Sequence, residues 1–180
     1  EAVITILNKY PNWKAIVIGD EQREKLIFEH KNLRNLGFQR HDKVLKTFNR
    51  SNIAVVCSRW DEPFGRTSLE AASRGCAVII SNRGGLPETI TNGKILRNLN
   101  PSALYKEIEN LIKNKTELKF LQRQSIKNFY LTNEFISKKI DNYRSEINQN
   151  YSYLNQKKLS DRLKILHVTN FNERHNGRLF

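Results

Sequence analysis

The feature of this sequence that most restricts its fold is a regular alternation over about the first 100 residues. Short runs of β-branched and other apolar residues alternate with amphipathic segments, which is typical of βα units around a buried parallel sheet. Four strands are predicted, at Lys14–Gly19, Leu33–Gly37, Ile53–Cys57 and Ala77–Ser81. We therefore expect an α/β fold in which a parallel sheet is flanked by helices.

Helices are predicted between these strands and throughout the second half of the chain. Apolar residues at helical spacing predict Ala2–Tyr10, Glu21–His30, Asp42–Asn49 and Arg66–Arg74. Past about residue 100 the strand signals stop, and helical stripes follow around 104–112, 118–129 and 136–147. Because the first helix leads directly into the first predicted strand, we expect an earlier strand to precede it.

The pattern also predicts how the chain divides. Residues 1–147 form the main domain, and residues 148–162 are polar and unpatterned, as in a linker. A fifth strand, of the buried type, is then predicted to begin at Leu163, close to the last residue, Phe180. Two interpretations stay open for residues 163–180, the start of a second α/β domain or a C-terminal strand docked on the first.

Composition excludes several classes of protein. The 180 residues are 38% hydrophobic and 27% charged, which is a globular balance. The two cysteines are too few for a disulfide scaffold and favour a reducing compartment. The longest apolar runs reach about five residues, whereas a bilayer-spanning helix needs roughly 20. A cytoplasmic location is expected.

The net charge of +13 is spread along the chain. A nucleic-acid binder would concentrate Lys and Arg on one face or arm, so nucleic acid is not an expected partner. A solvated basic surface is the plainer interpretation, and a peripheral contact with the anionic inner face of a membrane stays open.

The densest cluster of candidate functional residues runs from Trp60 to Gly75, directly after the third predicted strand. Open α/β sheets bind ligands at the carboxyl ends of their strands. A tight turn at Gly65 begins the next helix, so the backbone N–H groups of Gly65, Arg66 and Thr67 are free to bind an anion. A phosphate is the expected ligand there.

Two glutamates, Glu62 and Glu70, flank this helix start with seven residues between them. A carboxylate would repel a phosphate, but it accepts hydrogen bonds from ribose or sugar hydroxyls. The combination indicates a nucleotide that carries a sugar. The alternative, that both are ordinary exposed acids favoured by the helix dipole, stays open. Gly19 and Phe38 end or follow two other strands, where they would border a nucleobase.

The segment Glu62-Pro-Phe-Gly-Arg-Thr-Ser-Leu-Glu70, with Gly75 and Gly84-Gly85-Leu-Pro-Glu88 after it, resembles the signature of the retaining glycosyltransferases of family 4. That resemblance implies the GT-B fold, in which two Rossmann-like lobes face each other across a cleft. This chain would be an N-terminally truncated C-terminal, donor-binding lobe. The acceptor-binding N-terminal lobe would lie outside it, so the fragment alone is expected to be inactive.

The resemblance also implies a role for each motif residue. Glu70 would bind the ribose hydroxyls, and Glu62 would act at the transferred sugar as the catalytic-site residue. The remaining donor-binding residues would be Phe64, Gly65, Arg66 and Thr67 at the sugar and diphosphate, with Gly19 and Phe38 at the base. No metal or other cofactor is expected, because helix-end N–H groups stabilise the leaving diphosphate. Arg66 replaces an apolar family residue, and its side chain either contacts phosphate or points to solvent.

The implied function is hexosyl transfer from a nucleoside diphosphate sugar to a glycan or lipid-linked acceptor, with retention, in cell-surface polysaccharide or glycolipid synthesis. Two alternatives stay open. One is a non-catalytic module that binds nucleotide sugars, and the other is a sugar-nucleotide epimerase on a similar fold, which would need an acid and a base at the sugar.

Overall fold

The computed structural model describes residues 1–19 and 29–154, and these residues confirm the predicted α/β class. Five strands and six helices occur in this part of the chain. The strands are β1 (Ala15–Val17), β2 (Leu33–Asn35), β3 (Ile53–Val56), β4 (Ala77–Ser81) and β5 (Gly93–Leu96). The helices are α1 (Ala2–Lys9), α2 (His41–Phe48), α3 (Arg66–Ser73), α4 (Pro101–Lys113), α5 (Lys115–Lys127) and α6 (Asn133–Leu154).

The strands form two parallel sheets. β1 pairs with β2, with Ala15 opposite Leu33. β4 lies between β3 and β5, with Ile53 opposite Ala77 and Val78 opposite Gly93. Parallel pairing places the carboxyl ends of β3, β4 and β5 along one edge, where the predicted site lies.

β4 is the centre of the core, since all five of its residues are buried. Ile79 packs with residues of α4 and α5, including Leu111 and Leu121, and with Ile6 of α1. Ile80 packs on the opposite face with Ala71 of α3. Because helices cover both faces, a continuous apolar run replaces the alternation of a half-exposed strand.

Most of the predicted elements are confirmed, with ends shifted by a few residues. Residues 21–28 of the predicted helix Glu21–His30 lie outside the described residues, and Glu29 and His30 are not helical. β5 was not predicted, because Gly93-Lys94-Ile95-Leu96 is short and contains a glycine and a lysine. Backbone hydrogen bonds to β4 hold this segment in a strand conformation.

Residues 148–154, the first part of the predicted linker, are helical and continue α6. The helix thus extends past Ile147, the last residue of its predicted apolar stripe, while the linker itself stays a prediction. The rest of that segment and residues 163–180 lie outside the described residues. The chain divides into two units, Glu1–Phe135 and the part from Ile136 onward. In the described ranges, no helix has both the length and the apolar character needed to span a membrane.

A polar cluster centred on Glu109 joins α1 to α4. Lys9 lies 2.7 Å from the Glu109 carboxylate, and the hydroxyls of Tyr10 and Tyr105 donate to it at 2.9 and 2.8 Å. Hydrogen bonds from Lys9, Tyr105 and Tyr10, in that order, lower the pKa of Glu109 from 4.5 to about 2. The ionised carboxylate therefore stabilises the folded state.

This cluster makes the stability of the protein sensitive to acid. The pKa of Glu109 is lower in the folded state, so its contribution is complete above pH 4.5 and is lost as the pH falls toward about 2. We expect Glu109→Gln to lower the free energy of unfolding at pH 7, with a difference from wild type that shrinks through this window. Urea unfolding at several pH values measures it. Glu107→Gln, on the same helix but outside the cluster, is the control and should show no such convergence.

Candidate functional site

The site is built where the chain leaves β3 and β4. The loop after β3 is tied to the end of β4 by one buried hydroxyl, that of Ser81. The Ser58 N–H donates to Ser81 Oγ, and Ser81 Oγ donates to the Ser58 carbonyl, both at 2.9 Å. This reciprocal pair sets the path of the loop that carries Glu62.

The glycine turn after β4 packs directly against the same loop. The Gly85 N–H donates to the Glu62 carbonyl at 2.7 Å. Gly84 has a φ of +51°, and a Cβ there would lie 2.3 Å from the Glu62 carbonyl oxygen. A Cβ on Gly85 would lie 2.6 Å from the Pro63 carbonyl oxygen. These two glycines therefore let the turn approach the backbone of the Glu62 loop closely, and the turn holds that loop in place.

The N-terminus of α3 is open. Gly65 precedes the helix with a φ of +87°, which favours glycine, and no side chain caps the helix. Within the described residues, the N–H groups of Gly65, Arg66 and Thr67 donate no hydrogen bond. Free N–H groups and the helix dipole together favour an anion at this position.

A pair of buried hydroxyls that the sequence analysis missed supports this helix start. Ser68 and Thr89 are both buried, and their hydroxyl oxygens lie 2.5 Å apart. Ser68 Oγ also lies 2.7 Å from the Gly65 carbonyl oxygen, and Thr89 Oγ1 lies 2.7 Å from the Leu86 carbonyl oxygen. The pair joins α3 to the short 3₁₀ turn Leu86–Thr89. The sequence offered one signal for this pair. A serine three residues after Gly65 is placed for a local hydrogen bond from its side chain to the Gly65 backbone.

Glu70 lies on the second turn of α3 with its side chain 19% exposed. His41, the first residue of α2, reaches its Oε1 atom from Nε2 at 3.0 Å. The Arg66 guanidinium reaches the same oxygen at 3.4 Å. The Arg66 side chain, 76% exposed, thus contacts a carboxylate in addition to facing solvent. The sequence contains no signal for this contact, because His41 is 29 residues from Glu70 in the chain.

Glu62 is half-buried, and in the described part of the chain its carboxylate makes no hydrogen bond or ion pair. Phe64 is 41% exposed, and Thr67 is exposed. The side chains of this loop are thus accessible to a ligand. Glu62 and Glu70 do not contact each other directly.

Gly19 and Phe38 follow the smaller sheet. The Gly19 N–H donates to the Gly37 carbonyl at 3.0 Å, which joins the segments after β1 and β2. Phe38 is 78% exposed. Since His41 lies three residues further on and contacts Glu70, the structure brings the end of β2 next to α3.

Both cysteines lie near these elements, one after β3 and one after α3. Burial raises the pKa of Cys57 and of Cys76 to about 11. Their thiols are therefore neutral at pH 7, which makes them poor nucleophiles. In the residues that the structure describes, no three His, Cys, Asp or Glu side chains are grouped so as to hold a metal ion.

Comparison with known proteins identifies the family. The chain matches the sequence profile of the glycosyl transferases group 1 over residues 1–128. This span covers more than half of the chain, and the chain therefore belongs to that family. The predicted relationship to glycosyltransferases is confirmed at this level, whereas retention and the assignment to family 4 stay predictions.

The chain is also similar to individual proteins of known sequence or structure. Spore coat protein SA of Bacillus subtilis is 28% identical over 153 residues, which cover 72% of this chain and 40% of that protein. Anabaena HepE, crystallised with UDP-glucose, is 18% identical with a TM-score of 0.66, covering 81% of this chain and 44% of that one. The C-terminal domain of LpcC, a group 1 glycosyl transferase from Francisella tularensis, is 26% identical with a TM-score of 0.61 over 70% of this chain and 72% of that one. The chain thus spans less than half the length of the first two proteins.

The packing of the glycine turn leads to a stability prediction. Gly84→Ala places a methyl group against the Glu62 backbone and strains a positive φ, whereas Gly37, with a φ of +57°, has open space around its Cβ position. We expect Gly37→Ala to cost about 1 kcal/mol from strain alone, and Gly84→Ala to cost about 1 to 3 kcal/mol more from overpacking. Chemical denaturation of the two variants measures the difference. Equal losses would contradict the contact between the two loops.

Proposed function

We propose that this chain is the donor-binding lobe of a retaining glycosyltransferase of family 4, and that it binds a nucleoside diphosphate sugar. The observation that carries the proposal is the open N-terminus of α3 with a carboxylate on each side of it along the chain. The HepE structures hold UDP and UDP-glucose, which supports a nucleotide sugar as the ligand of this fold.

The diphosphate would bind at the start of α3. The N–H groups of Gly65, Arg66 and Thr67 are the donors, and they need no reorganisation because the Ser68–Thr89 pair already holds the turn. Preorganised donors stabilise the charge that develops on a leaving group better than mobile ones. We propose that these N–H groups take the place of a metal ion at the diphosphate.

Glu70 would bind the ribose hydroxyls. The hydrogen bonds to its carboxylate from His41 and Arg66 both fall on Oε1, so Oε2 is available to a ligand. The exposed Phe38 and the backbone at Gly19 would border the base. Glu62, with no partner among the described residues, would contact the transferred sugar near its anomeric carbon.

The reaction exchanges one bond of the anomeric carbon for another. The bond to the diphosphate oxygen breaks, the acceptor hydroxyl oxygen takes its place with retained configuration, and the hydroxyl proton leaves with the diphosphate or to solvent. The negative charge that remains on the diphosphate faces the α3 N–H groups. The acceptor would be held by the N-terminal lobe of the whole protein.

The acceptor class is proposed to be a glycan or a lipid-linked sugar of cell-surface polysaccharide or glycolipid synthesis. A net charge of +13 supports work at the inner face of an anionic membrane, in the cytoplasm. The spore coat relative also has a name that belongs to a cell-surface structure.

The first test of the proposal is nucleotide binding. We expect one of UDP, GDP and ADP to bind the 180-residue chain, and Glu70→Ala to weaken that binding about 10-fold to 100-fold, because charge-assisted hydrogen bonds contribute about 1.5 to 3 kcal/mol. Ligand-observed NMR and calorimetry measure it. Glu107→Ala, which removes a carboxylate on α4, should leave the affinity unchanged. Failure of all three nucleotides to bind the wild-type chain would contradict the proposal.

The second test separates the two glutamates. Glu62→Ala should leave the affinity for the nucleoside diphosphate without a sugar unchanged, because the proposed partner of the Glu62 side chain is the sugar. In the whole protein, containing both lobes, the same change should lower the rate of sugar transfer by about 100-fold or more. Wild-type turnover by Glu62→Ala would exclude a catalytic role. Binding without transfer by the wild-type whole protein would indicate a non-catalytic binding module, and a changed sugar configuration on the nucleotide would indicate an epimerase.

A further inference from the structure

We infer that His41 is a positioning residue for the nucleotide: it holds the Glu70 carboxylate so that Oε2 is directed to the ribose hydroxyls. The inference rests on the proposed function, because it assigns a partner to the ribose-binding residue of the same site. Neither the family signature nor the sequence spacing includes His41.

The geometry of the contact is specific. His41 begins α2 and Glu70 lies on α3, and the distance from Nε2 to Oε1 is 3.0 Å. Arg66 approaches the same oxygen, so both donors occupy one side of the carboxylate. A carboxylate has about four acceptor positions over its two oxygens. The positions on Oε2 are therefore those left for hydroxyl groups of a ligand.

Of the two donors, His41 is the one that orients the carboxylate. The Arg66 contact is longer, at 3.4 Å, and joins residues four apart on one helix with the arginine side chain 76% exposed. Exposed pairs four residues apart on one helix contribute little. The His41 side chain is also partly exposed, at 59%, but its contact is shorter, at 3.0 Å, and joins two different helices. The imidazole has two rotatable bonds and belongs to a different helix, so it links the carboxylate to α2 and to the segment between β2 and α2 that contains Phe38.

The hydrogen bond needs a proton on Nε2 of His41. The imidazolium has one, and so does one of the two neutral tautomers. Because the neutral tautomer can donate as well, the hydrogen bond does not require a charge on His41, and a neutral donor at the same place should serve. The side-chain amide of glutamine carries an N–H donor that His41→Gln would place near the Nε2 position. This makes His41→Gln a rescuing variant and His41→Ala a deleting one.

The experiment measures the affinity of the 180-residue chain for UDP, or for GDP or ADP if that is the nucleotide it binds. His41→Ala should raise the Kd about 5-fold, as expected for one net hydrogen bond, and His41→Gln should stay within about 2-fold of wild type. Lys46→Ala, an exposed change on the same helix, should leave the Kd unchanged. Circular dichroism and thermal unfolding confirm that each variant is folded.

Two further arms distinguish positioning from a general structural role. In the Glu70→Ala background, His41→Ala should have no additional effect, because the residues act as one unit. The 2′,3′-dideoxy form of the nucleotide, which lacks both ribose hydroxyls, should bind wild type and His41→Ala equally. A loss of the same size for the dideoxy nucleotide, or in the Glu70→Ala background, would overturn the inference.

The inference and the proposed function fail in different ways. If Glu70→Ala weakens nucleotide binding but His41→Ala does not, the proposed function stands and His41 is not a positioning residue. If no nucleotide binds the wild-type chain, the donor-site proposal is wrong and the inference falls with it.

Discussion

The rest of this structure depends on the burial of one strand, β4. Its five residues are buried on both faces, and the two halves of the core are the two sides of that strand. Burying one large aliphatic side chain contributes about 1.5 to 3 kcal/mol, so Val78, Ile79 and Ile80 together supply much of the driving force for this part of the fold. The last residue of the strand, Ser81, then holds the loop after β3. The apolar core and the candidate site are thus joined at one strand end.

The site is stiff because three separate contacts hold its loop. The Ser81 hydroxyl fixes the beginning of the loop, the Gly85 N–H fixes it at Glu62, and the Ser68–Thr89 pair fixes the helix that follows. None of these contacts uses the groups proposed to bind the donor. The N–H groups at the start of α3 and the Glu62 carboxylate therefore stay available while their positions are set. This separation of support from binding suits a site whose donors must be preorganised.

Much of the fold and part of the site were predictable from local pattern. The runs Ile53–Val56 and Ala77–Ser81 are apolar and β-branched, so their burial is visible in the sequence. β5 was missed because a strand of four residues with a glycine depends on its neighbour for its conformation. The helical conformation of residues 148–154 was not predicted, because a helix can continue beyond its apolar stripe and polarity alone does not show this.

The sequence by itself determined the βα pattern, the motif from Glu62 to Glu70 and the family to which they belong, because these are properties of residues close together in the chain. Only the tertiary structure decided that His41 binds Glu70, that Gly84 and Gly85 pack on the backbone of the motif, and that Ser68 meets Thr89. These partners are separated by about 20 to 30 residues. The segments after β3 and β4 meet because parallel strands bring their carboxyl ends to one edge, whereas His41 meets Glu70 because α2 packs against α3. A hydrogen bond of this kind has no sequence signal, since its geometry is set by the packing of the elements and not by the residues that make it.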